Sequence, residues 1–386
     1  MNAQRTSASL LLAAVIGLIV LGLVMMTSTS AYAAETKGDP MFLFMRQIQW
    51  LGVGVVLCAL AAVFDYHLLQ KFWWLWYGTA LVLLALCFVP HIGHSHFGAK
   101  RWIKLGISFQ PSEFAKLAAV VAVAWWLARD EAHARQFLRG CVGPLVLAGV
   151  LMSLIVGEVD LGTTVLIGGT TLVLMFLAGT RLRYIATILL LAVATLGLAI
   201  RLVPERTGRL LSFLNPEKYP DDAYQGLQGL IALGSGGVEG LGLGAGRQKM
   251  HYLPFAHTDF IFPIIGEELG LRCTLAVVAA FLAFILCGGI IAMHARDRFG
   301  MLLGFGITLL IGLQAAINIG VTTVVLPNKG MPMPFVSYGG TNLVFCLIGV
   351  GILLNIFRQG LNEKDGKRAG AVLNARTRHA PKVVRL

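Results

Sequence analysis

The acidic residue at the entrance of a long apolar run is the first candidate for chemistry. Asp259 stands in the stretch HTDFIF (257–262), and apolar residues continue well beyond it. A charged side chain costs at least about 2.5 kcal/mol at the centre of a bilayer, so such residues are functional candidates by default. A carboxylate there can take a proton from a hydroxyl or hold a cation. Asp259 is therefore the leading candidate for a reactive group.

Four further carboxylates stand within or between apolar runs: Glu158, Asp160, Glu267 and Glu268. If the run that contains Glu268 is helical, Arg272 lies one turn later and is expected to pair with it. That pairing would make Glu268 a structural residue. No cation follows Asp259 at helical spacing, so the same explanation does not apply there.

Lysine and arginine residues are frequent in two segments, 91–111 and 201–261, that the predicted topology places outside the membrane. Such residues are normally depleted there, although long loops are translocated regardless of charge. The alternative is that they bind an anionic ligand, since Arg contacts phosphate through two donors and Lys as a point charge. The residues of this kind are Lys100, Arg101, Arg247 and Lys249, with Gln248 between the last two.

Two loop segments have compositions that suggest a structured site. The glycine-rich segment 234–249 could expose backbone N–H groups to phosphate, although a flexible linker has the same composition. The segment 326–340 contains three prolines and cannot be a regular helix. Irregular backbone at membrane depth is buried in protein or lines a wet cavity. We expect it to fold back over the helices and wall a site, with Lys329, Ser337 and Tyr338 as its polar residues.

The segment 102–116 leads from the first basic loop into an apolar run. Ser112 is a plausible N-cap, with Glu113 in the first helical turn beside the positive end of the dipole. Trp102 suits an interfacial anchor, or a platform on which a sugar ring stacks.

The composition identifies the class of protein. Of 386 residues, 57% are hydrophobic and 13% are charged, and the mean hydropathy is +0.77. Soluble domains are about 25% charged, so an integral membrane protein is predicted. Helices need about 20 apolar residues to cross a bilayer. The candidate runs are 8–27, 48–64, 72–90, 112–128, 140–157, 161–179, 184–203, 262–292, 300–326 and 340–357.

These runs predict an all-α fold, a polytopic membrane domain (1–358) of ten transmembrane helices with a large extracytoplasmic loop, about 204–261, between helices 7 and 8. The fifth and sixth runs must form a tight hairpin. No alternation typical of an outer-membrane barrel is visible. The basic tail 359–386 belongs in the cytoplasm, which places both termini there.

Two features of the sequence bear on processing and on metals. Ala-Tyr-Ala at 31–33 resembles a signal-peptidase site, but the preceding apolar run exceeds the usual ~7–15 residues, which favours an uncleaved first span. The six cysteines form no CxxC motif. Neither a disulfide framework nor a metal site is predicted from them.

Several long motifs resemble the SEDS family (shape, elongation, division, sporulation), in the same order along about residues 8–358. They are GAKRWIKLGISFQPSEFAK (98–116), DLGTT (160–164), SFLNPEKYPDDAYQGLQGLIALGSGGVEGLGLG (212–244), QKMHYLPFAHTDFIFPIIGEELG (248–270) and LPNKGMPMPFVSYGGTN (326–342). The last two look more like the division member of the family than the elongation member.

The resemblance implies a ten-helix fold and peptidoglycan glycosyltransferase activity on lipid II, an undecaprenyl-pyrophosphate disaccharide-pentapeptide. Asp259 corresponds to the family's essential aspartate, Arg101 and Trp102 to its loop arginine and tryptophan, and Asp160 to its hairpin acid. The remaining substrate-binding candidates are Lys100, Glu113, Arg247, Gln248, Lys249, His257, Thr258, Lys329 and Ser337.

The resemblance also implies partners and a location. The partners are lipid II, a class B penicillin-binding transpeptidase, other divisome proteins and the membrane; no nucleic acid is expected. The implied location is the bacterial cytoplasmic (inner) membrane at the division septum, with the active site on the outer face.

The chain departs from the family pattern close to Asp259. Phe255 replaces a usual glutamate, Pro263 a usual alanine, and Thr341-Asn342 two usual serines. Asp259 is predicted to be the general base, while a ligand of a divalent cation, Mg²⁺ or Mn²⁺, is the open alternative. The rival functions are a lipid II flippase or transporter and a non-catalytic scaffold that activates a partner transpeptidase.

Overall fold

The computed structural model describes residues 2–33, 41–90, 92–96, 99–105, 107–202, 208, 211–250 and 252–378. Helices dominate because a segment in hydrocarbon must satisfy its own backbone N–H and C=O groups. Among the described residues, seven helices are long and apolar enough to cross a membrane: Gln4–Ser30, Phe42–Val63, Pro111–Ala128, Phe137–Gly157, Ile261–Met293, Arg298–Thr322 and Gly340–Leu361. Three shorter apolar helices are Trp73–Leu86, Leu161–Leu177 and Leu182–Thr195. The predicted apolar runs overlap these helices.

The helices have the following bounds in chain order. They are α1 (Asn2–Ala33), α2 (Phe42–Val63), α3 (His67–Lys71), α4 (Trp73–Leu86), α5 (Pro111–Ala128), α6 (Glu131–Ala134), α7 (Gly143–Gly157), α8 (Leu161–Leu177), α9 (Leu182–Leu202), α10 (Pro220–Gly236), α11 (Ile261–Met293), α12 (Arg298–Thr322) and α13 (Gly340–Arg378). A π-helical turn, Phe137–Val142, leads into α7.

The bundle is organised around α5 and α12, whose side chains are mostly buried. Helix α12 packs against α5, α8, α11 and α13. Helix α1 packs along α11, and α2 packs along α13, so the first two helices close the bundle against its last elements. Only residues 158–160 separate α7 from α8, which confirms the predicted tight hairpin.

A small sheet precedes α5, and the prediction of an all-α fold missed it. Strands β1 (Gly93–His96), β2 (Ala99–Leu105) and β3 (Ile107–Phe109) form an antiparallel sheet in the order β1-β2-β3. The strands are short, and β2, the longest, contains two lysines and an arginine, so the sheet lacks the regular apolar alternation by which strands are identified in sequence. They fold the first basic loop into a defined surface.

The large predicted loop also contains regular structure. Helix α10 lies within it and packs against α11. Helix α11 is interrupted at Gly270, which has φ 75° and ψ −176°. A Cβ there would lie 2.4 Å from the Gly240 nitrogen, so only glycine lets the glycine-rich segment approach this closely. The interruption separates residues 261–269, the N-terminal part of α11, from the rest of the helix.

Candidate active site

Asp259 lies in a run of tight turns, residues 252–260, that ends where α11 begins. Phe255 has a positive φ of 59°, and its carbonyl accepts hydrogen bonds from the N–H groups of Thr258 (3.0 Å) and Phe260 (3.3 Å). A positive φ is rare for a bulky residue, and here it closes the turn. Phe260 is buried beneath the turn, whereas Asp259 stays half-buried at the surface of the bundle.

The proline-rich segment 326–340 covers this turn from the other side. Ser337 Oγ donates to the Thr258 carbonyl (2.5 Å), and the Tyr338 N–H donates to the His257 carbonyl (2.9 Å). The rings of His257 and Tyr338 lie 5.9 Å apart. The prediction that this segment folds back over the helices is therefore confirmed.

Two amide side chains of α12, one turn apart, hold the turn and the segment together. Asn318 Nδ2 donates to the Asp259 carbonyl (2.8 Å) and to the Met331 carbonyl (2.7 Å). Gln314 Nε2 donates to the Pro332 carbonyl at 2.8 Å. Both amides are buried. Sequence analysis missed them, although two amides spaced four residues apart inside an apolar run were an available signal.

A glycine leaves room for the carboxylate itself. A Cβ on Gly330 would lie 2.7 Å from Asp259 Oδ2, which is closer than Cβ atoms approach an atom to which they are not bonded. Backbone can therefore lie against the carboxylate only because residue 330 has no side chain. Among the described residues, no donor forms a hydrogen bond with either carboxylate oxygen of Asp259.

Arg101 of β2 reaches across to the α7–α8 hairpin. Its Nε donates to the Glu158 carbonyl (3.4 Å) and its Nη2 to the Val159 carbonyl (2.5 Å). Val159 has a φ of 66°, which turns its carbonyl toward the arginine side chain. Asp160 then caps α8 by accepting from Thr163 N–H at 3.1 Å and Thr163 Oγ1 at 2.9 Å. The sheet and the hairpin thus meet at Arg101.

The electrostatics join these elements into one site. Burial raises the pKa of Asp259 to about 7; the positive charge of Arg101 opposes this rise, and the negative charge of Asp160 adds to it. Charges act on one another in this way only at short range or through a low-dielectric region. The carboxylate of Asp259 thus lies within the electrostatic reach of Arg101 and Asp160, and a pKa near 7 suits it to exchange a proton.

Glu158, one of the carboxylate candidates in the sequence but not one of the predicted substrate-binding residues, is a buried acid of the same site. Its carboxylate oxygens have no ordinary hydrogen-bond partner in the described structure, and the Cys87 thiol beside it is a weak donor. Burial raises its pKa to about 8, opposed by Cys87 and Arg101 and assisted by Asp160. Glu158 is thus held protonated at neutral pH.

A metal centre built by the protein alone would need several ligating side chains among the described residues. Among them, no group of three or more His, Cys, Asp or Glu side chains converges. A divalent cation often binds one or two carboxylates and completes its shell with water and substrate phosphates. Asp259 and Asp160 are the carboxylates that could contribute to such a shell.

Glu113 lies in a buried polar network beneath the site. It forms an ion pair with Lys116 at 2.8 Å and accepts from Asn342 Nδ2 at 2.9 Å. Lys116 also donates to Gln314 Oε1 at 2.7 Å, so the network continues to the amides of α12. The predicted N-cap at Ser112 is wrong, because Pro111 already occupies the first helical position and the Ser112 hydroxyl is buried without a partner among the described atoms.

The glycine-rich segment binds carboxylates of α11 with its backbone. Glu267 accepts from the N–H groups of Arg247 (2.8 Å) and Gln248 (3.2 Å). Glu268 accepts from the Gly244 N–H at 2.9 Å, and the Lys249 ammonium lies 2.5 Å from its Oε1. The N–H groups considered for phosphate are therefore engaged with protein carboxylates, while the side chain of Arg247 is exposed.

Helix α1 completes this second cluster. Ser28 Oγ donates to Glu268 at 2.8 Å and accepts from Lys249 Nζ at 2.6 Å. The expected pairing of Glu268 with Arg272 is wrong, because Gly270 interrupts the helix between them. Arg272 instead lies 3.4 Å from Glu239, and both side chains are exposed.

The remaining candidates are Trp102, Lys329 and Lys100. Trp102 is half-buried in β2, opposite His94 of β1. Lys329 is half-buried in the segment 326–340. The side chain of Lys100 lies outside the described residues.

Comparison with known proteins gives a consistent result. A family model described as cell cycle protein (FtsW, RodA, SpoVE) matches residues 8–361. A probable peptidoglycan glycosyltransferase FtsW of Geobacter metallireducens is 39% identical over 356 residues, covering 92% of this chain and 95% of the relative. Stage V sporulation protein E of Bacillus subtilis is 36% identical over 369 residues, covering 93% and 99%.

Solved structures give the same picture. A structure described as "Structural coordination of polymerization and crosslinking by a peptidoglycan synthase complex" matches with a TM-score of 0.75 and 26% identity, covering 91% of this chain and 97% of that one. The rod shape determining protein RodA of Thermus thermophilus matches with a TM-score of 0.66 and 25% identity, covering 90% and 95%.

Proposed function

The chain belongs to the FtsW/RodA/SpoVE family of cell cycle proteins, and we propose that it polymerises lipid II into glycan strands during septal cell-wall synthesis, releasing undecaprenyl pyrophosphate. It is a peptidoglycan glycosyltransferase, as its curated FtsW relatives are named. The observation that carries the proposal is the position of Asp259, whose carboxylate lies against Gly330 and within the electrostatic reach of Arg101 and Asp160.

The proposed role of Asp259 is that of general base. Its carboxylate takes the proton of the acceptor sugar hydroxyl as that oxygen bonds to the anomeric carbon of the donor. The bond from that carbon to the pyrophosphate oxygen breaks, and its electron pair leaves with undecaprenyl pyrophosphate. A base whose pKa lies near the working pH is efficient in such a step.

Arg101 is the proposed anchor for the leaving pyrophosphate. The hairpin carbonyls hold its guanidinium through Nε and Nη2, and its remaining N–H donors are proposed to bind the pyrophosphate. Lys100, Trp102, Lys329 and the exposed Arg247 are proposed to contact the same lipid head group. His257, Thr258 and Ser337 are proposed to shape the acceptor side, while Gln248, Lys249 and Glu113 support the site from below.

A divalent cation, Mg²⁺ or Mn²⁺, is the alternative means of neutralising the leaving charge. Asp259, with Asp160, would hold it, and pyrophosphate oxygens would complete its shell. The test measures polymerisation by protein that has been treated with a chelator and then titrated with Mg²⁺ or Mn²⁺. It distinguishes Asp259 as a general base from Asp259 as a ligand of the cation.

The topology supports further proposals. We propose that the three shorter apolar helices also cross the membrane, which gives ten spans, both termini in the cytoplasm and Asp259 at the outer face of the bacterial inner membrane. The bounds proposed for the membrane domain are 1–358, with the basic tail 359–386 in the cytoplasm. The structural relative of a peptidoglycan synthase complex supports a transpeptidase partner of the penicillin-binding class. Septal localisation and contacts with other divisome proteins are part of the same proposal.

The decisive experiment uses purified full-length protein with its transpeptidase partner and labelled lipid II. Wild-type protein is expected to produce glycan polymer, and Asp259→Asn is expected to produce none. Polymer from the variant at the wild-type rate would contradict the proposed base. Movement of lipid II across liposomes without any polymer would point to transport instead.

A further inference from the structure

Five arginines lie on two neighbouring loops at the end of the bundle opposite Asp259. The first loop follows α5 and holds Arg129, Arg135 and Arg139; the second follows α8 and holds Arg181 and Arg183. Helices α5 and α8 both begin beside the active site, so their far ends must lie on the other side of the membrane. All five arginines are exposed. We call these two loops the arginine face.

Specific contacts join the two loops into one surface. Thr180 Oγ1 donates to the Gly140 carbonyl at 3.0 Å. The rings of Phe137 and Tyr184 pack edge to face with centroids 5.2 Å apart. Arg183 Nη2 donates to the Tyr184 hydroxyl at 3.0 Å. The relative position of the cations is therefore set by the fold.

Aromatic rings orient the first loop in the same way. The Arg129 guanidinium lies 4.3 Å from the centroid of the Trp125 ring, and Trp126 Nε1 donates to the Arg139 carbonyl at 2.6 Å. Tryptophan side chains are enriched at the boundary between the hydrocarbon and the head groups of a membrane. Guanidinium groups held beside these rings are therefore suited to contact lipid phosphates.

Large apolar side chains stand exposed among these arginines. Phe137 is 54% exposed, Leu138 71% and Leu182 66%. A surface with apolar side chains pointing toward hydrocarbon and arginines beside them matches a phospholipid, in which acyl chains lie next to a phosphate.

The same side of the protein has a second basic region with different chemistry. There His67 lies between Asp65 (2.7 Å) and Asp297 (3.3 Å), and Arg358 donates to the Val63 carbonyl at 2.6 Å. In that region the carboxylates of Asp65 and Asp297 lie beside a basic side chain, whereas on the arginine face Arg129 stacks on the Trp125 ring and Arg183 donates to the Tyr184 hydroxyl. A general preference for positive residues on the cytoplasmic side does not explain this difference.

We propose that the arginine face binds anionic phospholipid head groups of the cytoplasmic leaflet. Arginine contacts a phosphate diester through paired donors, and each basic residue at a membrane surface strengthens binding about fivefold. The bound lipid would hold the ends of α5 and α8 at a fixed depth. This inference does not depend on the polymerisation chemistry.

The test measures phosphatidylglycerol binding to the full-length protein in detergent micelles by native mass spectrometry, with phosphatidylcholine of the same acyl chains as reference. The variant is the triple substitution Arg135→Gln, Arg181→Gln, Arg183→Gln. Its matched control is Arg296→Gln with Arg358→Gln, which removes exposed cations of the second basic region.

The wild type and the control are expected to prefer phosphatidylglycerol, and the triple variant is expected to bind it roughly 100-fold more weakly, at about fivefold for each cation lost. An excess of inorganic phosphate should not displace the lipid, since the apolar contacts contribute. A triple variant that binds like the wild type would overturn the proposal. So would an equal loss in the control, or displacement by phosphate alone. A triple Arg→Lys variant keeps the charge but loses the paired donors, so its affinity should lie between that of the wild type and that of the triple glutamine variant, which excludes misfolding as the cause of the larger loss.

Discussion

Asp259 and the pair Glu267–Glu268 lie a few residues apart around the start of α11, yet their surroundings are opposite. Glu267 and Glu268 are fully buried and accept hydrogen bonds from a lysine, a serine and backbone N–H groups of the glycine-rich segment. Asp259 is half-buried, lacks a described donor to its carboxylate, and lies against a glycine. Carboxylates with hydrogen-bond partners hold a structure together, whereas one without a described donor at the surface of the bundle remains available to a substrate.

The difference predicts first that Asp259→Asn abolishes activity without loss of stability. The amide keeps the shape of the side chain but cannot take a proton, so polymerisation should fall by about 10²–10⁴-fold. The melting temperature should match the wild type or rise slightly, because an acid with a pKa of about 7 is costly to keep ionised. Assays of polymer length and thermal unfolding on the same preparation test both parts. A large drop in the melting temperature of Asp259→Asn would contradict the proposed difference between Asp259 and Glu268.

Glu268→Ala should show the reverse pattern. It leaves the Lys249 ammonium buried without its partner, and breaking a buried ion pair typically costs 3–5 kcal/mol. We expect a large drop in melting temperature, with activity lost in proportion to unfolding. Glu239→Ala breaks the exposed pair with Arg272 and is the matched control, expected to change little. Equal destabilisation by both substitutions would contradict the proposed role of burial.

Asn318→Ala should reduce activity by roughly 10–100-fold with a moderate loss of stability. It removes the donors that hold the Asp259 and Met331 carbonyls together, and a small displacement of a catalytic group can cost about 10²-fold. Thr308→Val, on the same helix, removes a hydroxyl that bonds only to its own helix at Gly304 and serves as control. Unchanged lipid II binding with a reduced turnover would distinguish misplacement from a damaged binding surface.

Glu158→Gln should have the smallest effect, visible in the pH dependence of stability. Its pKa is raised to about 8 in the folded protein, so folding favours the protonated form. Its contribution is therefore most favourable below the unfolded pKa and is lost as pH rises from about 4.5 to about 8. The glutamine variant should match the wild type at acidic pH and unfold a few degrees later at pH 9. Parallel curves at all pH values would show that Glu158 ionises freely.

The sequence was sufficient for the class of fold and for the identity of the reactive residue, because both depend on local patterns. Apolar runs of sufficient length predict spans, and Asp259 stood in a motif with neighbours of the right chemistry. The three-stranded sheet was not predicted because its strands are short and show no regular alternation of apolar and polar residues. The helix break at Gly270 was not predicted because a lone glycine is tolerated within an apolar helix. Since the helix was assumed to be continuous, Arg272 was predicted as the partner of Glu268 instead of Lys249.

Other features could not be read from the sequence because they depend on distant contacts. Nothing local indicates that Lys249 reaches Glu268, that Ser28 joins them, or that Arg101 is held by the carbonyls of a hairpin. The roles of Asn318 and Gln314 likewise require knowledge of which backbone crosses α12. The raised pKa of Glu158 follows from burial by elements far apart in the chain.

The contact between Ser28 and Lys249 also sets an order of events during synthesis. The two residues are 221 positions apart, so the first helix enters the membrane long before its partners are made. Until the glycine-rich segment has been synthesised and α11 has inserted, the Ser28 hydroxyl has neither Glu268 nor Lys249 to bond. The cluster of Ser28, Lys249 and Glu268 therefore forms late in biogenesis. It forms on α11, the helix that begins two residues after Asp259. Release of α1 at the Ala-Tyr-Ala sequence would remove one member of the finished cluster.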